Sequence, residues 1–401
     1  MIPTLQLTYH RLLDAVNLKH HRFLYHQFSL KDRLTGLIGP RGVGKTTLLL
    51  QYIKNHLDPS RVFYFSADHI HFENTTLYAF IEECYLTDGI ETFFIDEIHK
   101  YKNWSQELKN LYDGFPKMKI VFSGSSSLDI TKGSYDLSRR AKIYYLPGMS
   151  FREYLNMTLS TPIEKIDFQE LMRNHQRYDG LLTRIPGIKG HFNHYLMHGV
   201  YPFYWENPLS YHEKLLEVID KTIYEDIARF YQLNTGNLHL FKKLLHFLAS
   251  IPPGEINVHS LSRNLTIDDK TTLNYLTKLQ EVGLVHLIFP AATGNAGLQR
   301  PEKIFLNNTN LQYAIEGQLP KEIHVGTVRE LFFVQALRDA NIVLHYSKTG
   351  DYAVKDFTFE IGGKNKITQQ IAGVDKSFLI KADILMSRKR EIPLMLMGFL
   401  Y

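Results

Sequence analysis

The chain has 401 residues, of which 44% are hydrophobic and 22% are charged, which is typical of a globular protein, and no run of its sequence resembles a disordered or repeat-built chain. Because domains commonly run to about 100–200 residues, we expect two or three folded units. The formal net charge of +5 is compatible with phosphate-bearing ligands but falls short of that of a dedicated nucleic-acid binder.

The cysteine content and the hydropathy of the sequence argue against a disulfide-stabilised protein and a membrane-spanning protein. The single cysteine, Cys84, excludes a disulfide within the chain and a cysteine-based zinc site. No window reaches about 18 uninterrupted apolar residues, so we expect no membrane-spanning helix and no membrane partner. The first residues lack the apolar core of a signal peptide. These features together predict a cytoplasmic protein.

Short apolar runs alternate with helical patterns in the first third of the chain. The runs RLTGLIG, RVFYFSA, TFFIDE, MKIVFSG and AKIYYLP predict strands that are buried on both faces of a parallel sheet. The alternation predicts an α/β domain over residues 1–150. Residues 151–233 have helical spacing and predict a helical lid. Residues 234–290 predict a helix-turn-helix with a wing, and residues 291–401 predict a second, smaller α/β unit.

The stretch GPRGVGKT has the spacing of a phosphate-binding loop between a strand and a helix. Backbone amides of such a loop point inward, and the positive end of the following helix also favours phosphate. The pattern therefore predicts ATP binding, with Lys45 reaching the β and γ phosphates and Thr46 ligating Mg²⁺. The alternative is a chance glycine-rich turn before a helix. The predicted phosphate loop comprises Gly39, Pro40, Arg41, Gly42, Val43, Gly44, Lys45, Thr46 and Thr47.

The predicted strand TFFIDE ends with two carboxylates, Asp96 and Glu97. We expect Asp96 to hold Mg²⁺, largely through the waters bound to the ion, and Glu97 to orient and polarise the attacking water. A catalytic base at this position would distinguish a hydrolase from a passive nucleotide binder. The alternative is a solvated acidic strand end, a common feature of apolar strands.

Polar and basic residues accompany the last two predicted strands of this domain. Ser123, Ser125 and Ser126 follow KIVF, and one of them is expected to contact the γ-phosphate or the water; Ser123 is our candidate. Arg139 and Arg140 precede the final strand, where a guanidinium could neutralise charge on a nucleotide held by a neighbouring subunit. The alternative for both arginines is a solvated basic turn.

Five stretches, GPRGVGKTTLL, FFIDEIHKYKNWSQELKNLYD, IVFSGSSSLDI, RRAKIYYLPGMSFREYL and HGVYPF, together resemble one group of AAA+ ATPases of bacteria and archaea. The resemblance implies a sheet with strand order 5-1-4-3-2, followed by a lid, a winged helix and a restriction-endonuclease-like domain. It implies a turn at Gly199 and Pro202 near the adenine, and assembly into homo-oligomeric rings or stacks. It also matches Asp68 and Trp104, for which we expect packing rather than chemistry.

The carboxy-terminal stretch departs from the pattern of an active nuclease. Glu330 and Asp356 match the helix acid and the first-strand acid of such enzymes, but the strand expected to carry Glu-x-Lys has Gln370 and Ala372 instead. We therefore expect no nuclease activity, with one alternative left open. In that alternative Glu360, Lys364 and Lys366 compensate from a different geometry.

Two functions of different classes remain open at this stage. In the first, ATP hydrolysis drives conformational work, with nucleic acid as a candidate partner. In the second, the protein is a slowly hydrolysing switch that acts on a protein partner. The predicted recognition helix bears Asp268, Asp269 and Glu281 against Lys270 and Lys278, which argues against strong DNA binding by that helix.

Overall fold

A computed structural model of the chain describes residues 3–124, 137, 139–231, 235–252, 256–291, 300–319 and 324–401. The chain divides into two compact units, Met1–Pro147 and Gly148–Tyr401. The first predicted boundary, at residue 150, lies three residues beyond this division. The boundaries predicted after residues 233 and 290 both fall inside the second unit and remain predictions.

The first unit is built on a five-stranded parallel sheet with helices between its strands. Its strands are β1 (Leu34–Ile38), β2 (Val62–Ser66), β3 (Thr92–Asp96), β4 (Lys119–Gly124) and β5 (Ala141–Tyr145). Its helices are α1 (Pro3–Ala15), α2 (Lys45–His56), α3 (Leu77–Thr87) and α4 (Trp104–Gly114). Short 3₁₀ helices lie at Phe23–His26, Pro59–Arg61, Ile70–Glu73 and Ile98–Lys100.

The order of the strands across this sheet is β2-β3-β4-β1-β5, which is the predicted 5-1-4-3-2 order viewed from the other edge. All pairings are parallel. Strands β1 and β3 are buried along their whole length, as their continuous apolar sequences predict. Strand β5 differs, because it pairs with β1 along one side and exposes Lys142, Ile143 and Tyr145.

The second unit begins with helices and ends with a mixed sheet. Its helices are α5 (Phe151–Leu159), α6 (Phe168–Asn174), α7 (Asp179–Arg184), α8 (Ile188–His198), α9 (Tyr211–Lys221), α10 (Ala228–Tyr231), α11 (Leu238–Ser250), α12 (Val258–Leu265), α13 (Asp269–Glu281), α14 (Thr309–Glu316) and α15 (Val325–Asp339). A π-helix covers Thr222–Ile227. Short 3₁₀ helices lie at His175–Tyr178, Pro202–Trp205, Thr235–Asn237, Thr368–Ile371 and Leu394–Phe399.

Two sheets belong to this unit. Its strands are β6 (Val285–Ile288), β7 (Lys303–Leu306), β8 (His345–Tyr346), β9 (Tyr352–Val354), β10 (Phe357–Gly362), β11 (Ser377–Lys381) and β12 (Glu391–Pro393). Strands β6 and β7 form an antiparallel pair after α11, α12 and α13, and β7 lies beyond residue 290, where the predicted winged helix ends. The other sheet has the order β12-β11-β10-β9-β8.

Local sequence explains where several helices of the second unit begin. Ser150 and Glu153 form a capping box at the start of α5, in which each side chain accepts the other residue's backbone N–H. Asp268 caps α13 by accepting the backbone N–H of Thr271 at 2.9 Å. Aromatic packing then joins the first helices to the end of the chain. Phe151 lies 5.1 Å from Phe192 and 5.7 Å from Phe399, measured between ring centroids, so one core serves both parts of the unit.

Candidate functional site

The phosphate loop connects the end of β1 to the start of α2, as its motif predicts. Gly42 and Gly44 have φ angles of 79° and 92°, which L-residues with a side chain rarely adopt. Gly44 is the residue before α2, so the backbone turns directly into the helix that begins with Lys45. The freed amides and the positive end of α2 therefore lie at the same place, and this place favours an anion.

Gly39 meets a different constraint, since a Cβ atom there would lie 2.1 Å from the carbonyl oxygen of Leu146. Backbone rather than a flexible side chain blocks the position. We expect Gly39→Ala to lower the free energy of unfolding of the first unit by about 1–3 kcal/mol, the usual cost of overpacking. Gly114→Ala, at the last residue of α4 with open space around it, is the control. Urea unfolding of both variants tests this, and equal midpoints would contradict it.

Lys45 and Thr46 lie in the first turn of α2, and each forms hydrogen bonds with another residue of the candidate site. The buried Lys45 ammonium donates hydrogen bonds to the carbonyl oxygens of Gly39 and Pro40, each at 2.9 Å. These contacts hold the ammonium over its own loop. The Thr46 hydroxyl donates to Asp96 Oδ2 at 2.5 Å, so it joins the phosphate loop to the end of β3.

Asp96 is the centre of a dense hydrogen-bond cluster. In addition to the Thr46 hydroxyl, its carboxylate accepts hydrogen bonds from the Tyr64 hydroxyl at 2.7 Å, the Glu97 backbone N–H at 3.0 Å and the Ser123 hydroxyl. Asp96 is only 3% exposed, and the donors around it compensate for the desolvation of its charge. Burial and the Asp96 charge together raise the pKa of Tyr64, so its hydroxyl keeps the proton that it donates.

Glu97 has a backbone conformation that is unusual for a residue with a side chain. Its φ of 51° and ψ of 36° lie in the left-handed region, which costs about 1–3 kcal/mol and recurs at functional sites. Its Oε2 atom is buried and accepts no hydrogen bond from the described residues. The same atom lies 3.4 Å from Nε2 of the buried His99. The Glu97 side chain as a whole is 26% exposed, so solvent reaches part of the carboxylate group.

Of the predicted serine and arginine candidates, Ser123 lies beside Asp96 and Glu97, whereas the two arginines lie in the turn before β5. Ser123 contacts Asp96 through its hydroxyl and lies 3.4 Å from the Glu97 backbone nitrogen, whereas Ser125 and Ser126 fall outside the described residues. Arg139 is exposed in the turn before β5. The Arg140 guanidinium donates to the Asp113 carboxylate at 3.1 Å, so it already has a partner within the unit.

The remaining candidates lie elsewhere in the two units. Pro202 belongs to the second unit, where it opens the 3₁₀ helix after Tyr201. Trp104 packs in the first unit, with its ring centroid 5.7 Å from that of Phe122. Asp68 forms an ion pair with Lys100 at 2.9 Å, where we had expected packing. Burial lowers the pKa of Lys100, but its hydrogen bond and ion pair with Asp68 outweigh burial and raise it overall.

The predicted match to a nuclease site is wrong in two of its positions. Asp356 lies in the exposed turn between β9 and β10, where it pairs with Lys376 instead of facing Glu330. Gln370 lies in a 3₁₀ helix, because ITQQIAG does not form the expected strand. Lys303 instead bridges Glu330 at 2.7 Å and Asp351 at 3.0 Å.

A further carboxylate of this region also forms an ion pair. Glu360 pairs with Lys366 at 2.6 Å, and these are two of the three residues weighed as a compensating site, the third being Lys364. Within the described ranges no group of three or more His, Cys, Asp and Glu side chains could hold a metal ion. None of the helices in those ranges combines the length and apolar character needed to cross a bilayer.

Three residues of the candidate site are not predicted by the sequence. Tyr64 donates to Asp96 from within β2, and a phenol in such an apolar run is a signal that could have identified it, because a buried hydroxyl usually finds a partner. Arg22 is buried and donates to the carbonyl oxygens of Val43 and, at 2.8 Å, Pro147. No local pattern marks Arg22 or His99, since each acquires its role only when distant segments meet.

Comparison with known proteins agrees with this geometry. Residues 31–155 match a family model described as an AAA domain, and residues 189–322 match one described as a domain of unknown function. The chain is 31% identical over 291 residues to "Uncharacterized protein MJ1637" of Methanocaldococcus jannaschii. That match covers 68% of this chain and 60% of the archaeal relative, so the chain spans less than two thirds of that relative's length.

Solved structures show more distant likenesses. AMPPCP-bound DnaA from Aquifex aeolicus is 15% identical, with 70% of this chain and 89% of that chain covered, at a TM-score of 0.25. A katanin structure is 18% identical, with 42% and 62% covered, also at a TM-score of 0.25. TM-scores of 0.25 are too low to support a conclusion about the fold or the function of this chain. The phosphate loop and the parallel sheet agree with the family match, which places an AAA domain at residues 31–155.

Proposed function

We propose that the protein binds ATP in the phosphate loop and hydrolyses it with Mg²⁺, using Glu97 as the catalytic base. The observation that carries this proposal is the contact between Thr46 on α2 and Asp96 at the end of β3, with Glu97 next in the chain. A passive nucleotide binder needs the loop and the metal ligands. A hydrolase also needs a carboxylate beside them that can accept a proton from water.

The residues present fit a magnesium–nucleotide complex. The ion prefers oxygen ligands and retains several waters, and a hydroxyl and a carboxylate meet here at one edge of the sheet. Thr46 would hold the ion directly and Asp96 would hold it through water. When bound, Mg²⁺ neutralises charge on the phosphates. Lys45 would bind the β and γ phosphates, because a phosphate oxygen attracts an ammonium more strongly than a neutral carbonyl does.

Glu97 would orient the attacking water and accept its proton. Its Oε2 atom has no donor among the described residues, and Ser123 and the Asp96 carboxylate fix the backbone from which its side chain extends. His99 contacts the same oxygen and limits its movement. The left-handed backbone at Glu97 is thus held by side chains on two neighbouring strands, β3 and β4.

Residues beyond this cluster would complete the active site in an assembly. We propose that Arg139 reaches a nucleotide on a neighbouring copy in a homo-oligomer, since it is exposed at the start of β5. Arg140 would act there only after releasing Asp113. Pro202 is proposed to lie near the adenine. These three roles are supported by the resemblance of the sequence to AAA+ ATPases and by the exposure of Arg139.

The hydrolysis cycle is proposed to drive conformational work on nucleic acid. The alternative is a slow switch that changes protein partners with its nucleotide state. Steady-state ATP turnover at fixed salt, measured with single-stranded DNA, duplex DNA, RNA or no addition, separates them. Stimulation by a nucleic acid that disappears in Glu97→Gln supports work on nucleic acid. Turnover that none of the three stimulates supports the switch, and no turnover with Mg²⁺ would overturn hydrolysis itself.

Tyr64 offers a test of the Asp96 cluster that leaves every proposed ligand in place. We expect Tyr64→Phe to raise the Mg²⁺ concentration for half-maximal ATP turnover by about tenfold, because outer hydrogen bonds orient the groups that hold a metal. Tyr78→Phe removes a hydroxyl from α3 that bonds Glu82 instead, and it serves as the control. An identical Mg²⁺ dependence in both variants would show that Tyr64 only packs.

A further inference from the structure

A basic cavity of about 490 Å³ lies in the second unit, and none of the residues assigned to ATP lines it. No carboxylate contributes to its lining, so the lining residues carry a net positive charge. The lining residues are Arg173, Asn174, His175, Gln176, Arg177 and Lys389.

Buried contacts assemble this cavity from two segments that are far apart in the sequence. His175 Nε2 lies 2.9 Å from the carbonyl oxygen of Arg388, which can only accept, so the ring donates. The buried Asp179 carboxylate accepts from Ser387 through its backbone N–H at 2.9 Å and its hydroxyl at 2.6 Å. The segment that contains Lys389 is thereby fixed beside the end of α6. The cavity is preformed and does not depend on a mobile loop.

The cations of the cavity remain available to a ligand. Arg173 and Lys389 are exposed and form no ion pair with any described residue. Arg177 contacts Glu170 at 3.4 Å, but an exposed pair of this kind contributes little and exchanges readily. Guanidinium groups bind phosphate through two parallel hydrogen bonds, which suits Arg173 and Arg177 to an oxygen-rich anion.

A second cavity of about 360 Å³ adjoins the same segment. Three cations and two carboxylates line it, so its lining keeps an excess of positive charge. Lys381 pairs with Glu391 at 2.9 Å, and the exposed Arg388 guanidinium lies 3.8 Å from the same carboxylate. Arg329 pairs with Asp383 at 3.0 Å, which leaves Lys364 as the lining cation without an ion pair to a described residue. We call Arg173, Arg177, Lys364, Arg388 and Lys389 the basic surface.

We propose that the basic surface binds the sugar-phosphate backbone of a nucleic acid. Cations spread over two adjoining cavities match a chain of repeated phosphates better than a single phosphoryl group. The amides of Asn174, Gln176 and Asn365 supply uncharged donors for sugar and phosphate oxygens. The proposal deepens the function given above by naming the partner's binding site, and binding itself does not require ATP hydrolysis.

The predicted recognition helix α13 is a weaker candidate, because most of its charged residues already have partners within the protein. Asp269 pairs with Arg300 at 3.1 Å, and the buried Lys278 ammonium lies 4.5 Å from the ring centroid of Tyr231. Asp268 caps the helix and adds negative charge at its start. The basic surface therefore explains nucleic-acid binding better than α13 does.

The test compares two triple variants of the full chain that carry the same change in charge. The first is Arg173→Gln, Arg177→Gln and Lys389→Gln, and the control is Lys165→Gln, Lys221→Gln and Lys243→Gln, which removes exposed lysines elsewhere in the unit. Fluorescence anisotropy would measure binding of nucleotide-free protein to labelled single-stranded DNA, duplex DNA and RNA over a salt series. Thermal melting and ATP turnover without nucleic acid would verify that each variant is folded.

We expect the first variant to bind at least about tenfold more weakly and to reduce the salt slope by about 2–3, as three lost phosphate contacts predict. The control variant should bind as the wild type does. Equal affinities of the two variants would overturn the proposal, as would a wild type that binds anionic phospholipid vesicles but none of the three nucleic acids. Unchanged ATP turnover in either case would leave the proposed ATPase function standing.

Discussion

Glu97→Gln should bind ATP as tightly as the wild type and hydrolyse it about 10²–10⁴-fold more slowly, the usual contribution of a general base. The amide has almost the shape of the carboxylate, so the backbone at this position and the contact with His99 should persist. It cannot accept a proton from water at neutral pH. The loss should therefore appear in kcat, while the dissociation constant for ATP stays the same.

The matched control for this variant is Glu91→Gln, immediately before β3. Glu91 pairs with Arg61 on the surface, at the opposite end of the strand from Glu97. Single-turnover hydrolysis and equilibrium binding of a fluorescent ATP analogue provide the two readouts. Normal turnover in Glu97→Gln would remove Glu97 from the role of base. Weakened binding with unchanged kcat would instead make it a ligand of the nucleotide complex.

Lys45→Ala should lose both ATP binding and hydrolysis, each by about 100-fold or more, since one charged donor to the phosphates disappears. The lost contact acts in the ground state and in the transition state. Binding and kcat should therefore fall together, in contrast to Glu97→Gln. Isothermal titration with ATP and Mg²⁺, followed by steady-state turnover, measures the two effects.

Loss of fold must be separated from loss of phosphate contact in that variant. Lys117→Ala removes an exposed lysine from the turn before β4 and serves as the charge-matched control. Lys45 itself donates to two carbonyl oxygens of the phosphate loop, so its removal leaves those acceptors with one partner fewer. Equal melting temperatures of the two variants would assign the defect to the ligand. Retained ATP affinity in Lys45→Ala would contradict the proposed site.

Sequence periodicity and motif spacing predict the part of the fold that carries the proposed ATP site. The phosphate loop depends on residues close together in the chain, so its spacing is sufficient to identify it. Continuous apolar runs predict that β1 and β3 are buried on both faces. The strand order, in contrast, came from the resemblance to AAA+ ATPases, since spacing alone does not determine which strands pair.

The predictions that were wrong or missing concern residues whose partners lie in distant segments of the chain. Asp356 and Gln370 were matched by their order in the chain, but register and pairing place Asp351 opposite Glu360, because Tyr352 pairs with Phe359. Tyr64 and Arg22 acquire their roles from partners 32 and 21 residues away, respectively. Arg173 and Lys389 form one cavity through hydrogen bonds that span more than 200 residues, as from His175 to Arg388. No local pattern records such contacts.

The two oxygens of the Asp96 carboxylate divide their donors between two parts of the first unit. Oδ2 takes the hydroxyls of Thr46 and Tyr64, and Oδ1 takes the Ser123 hydroxyl and the backbone of Glu97. A rigid carboxylate cannot move one oxygen without moving the other. We therefore expect a shift of Thr46 at the start of α2 to turn the carboxylate and with it the backbone at Glu97. Occupancy of the phosphate loop and the orientation of the proposed base would then be coupled through this one side chain.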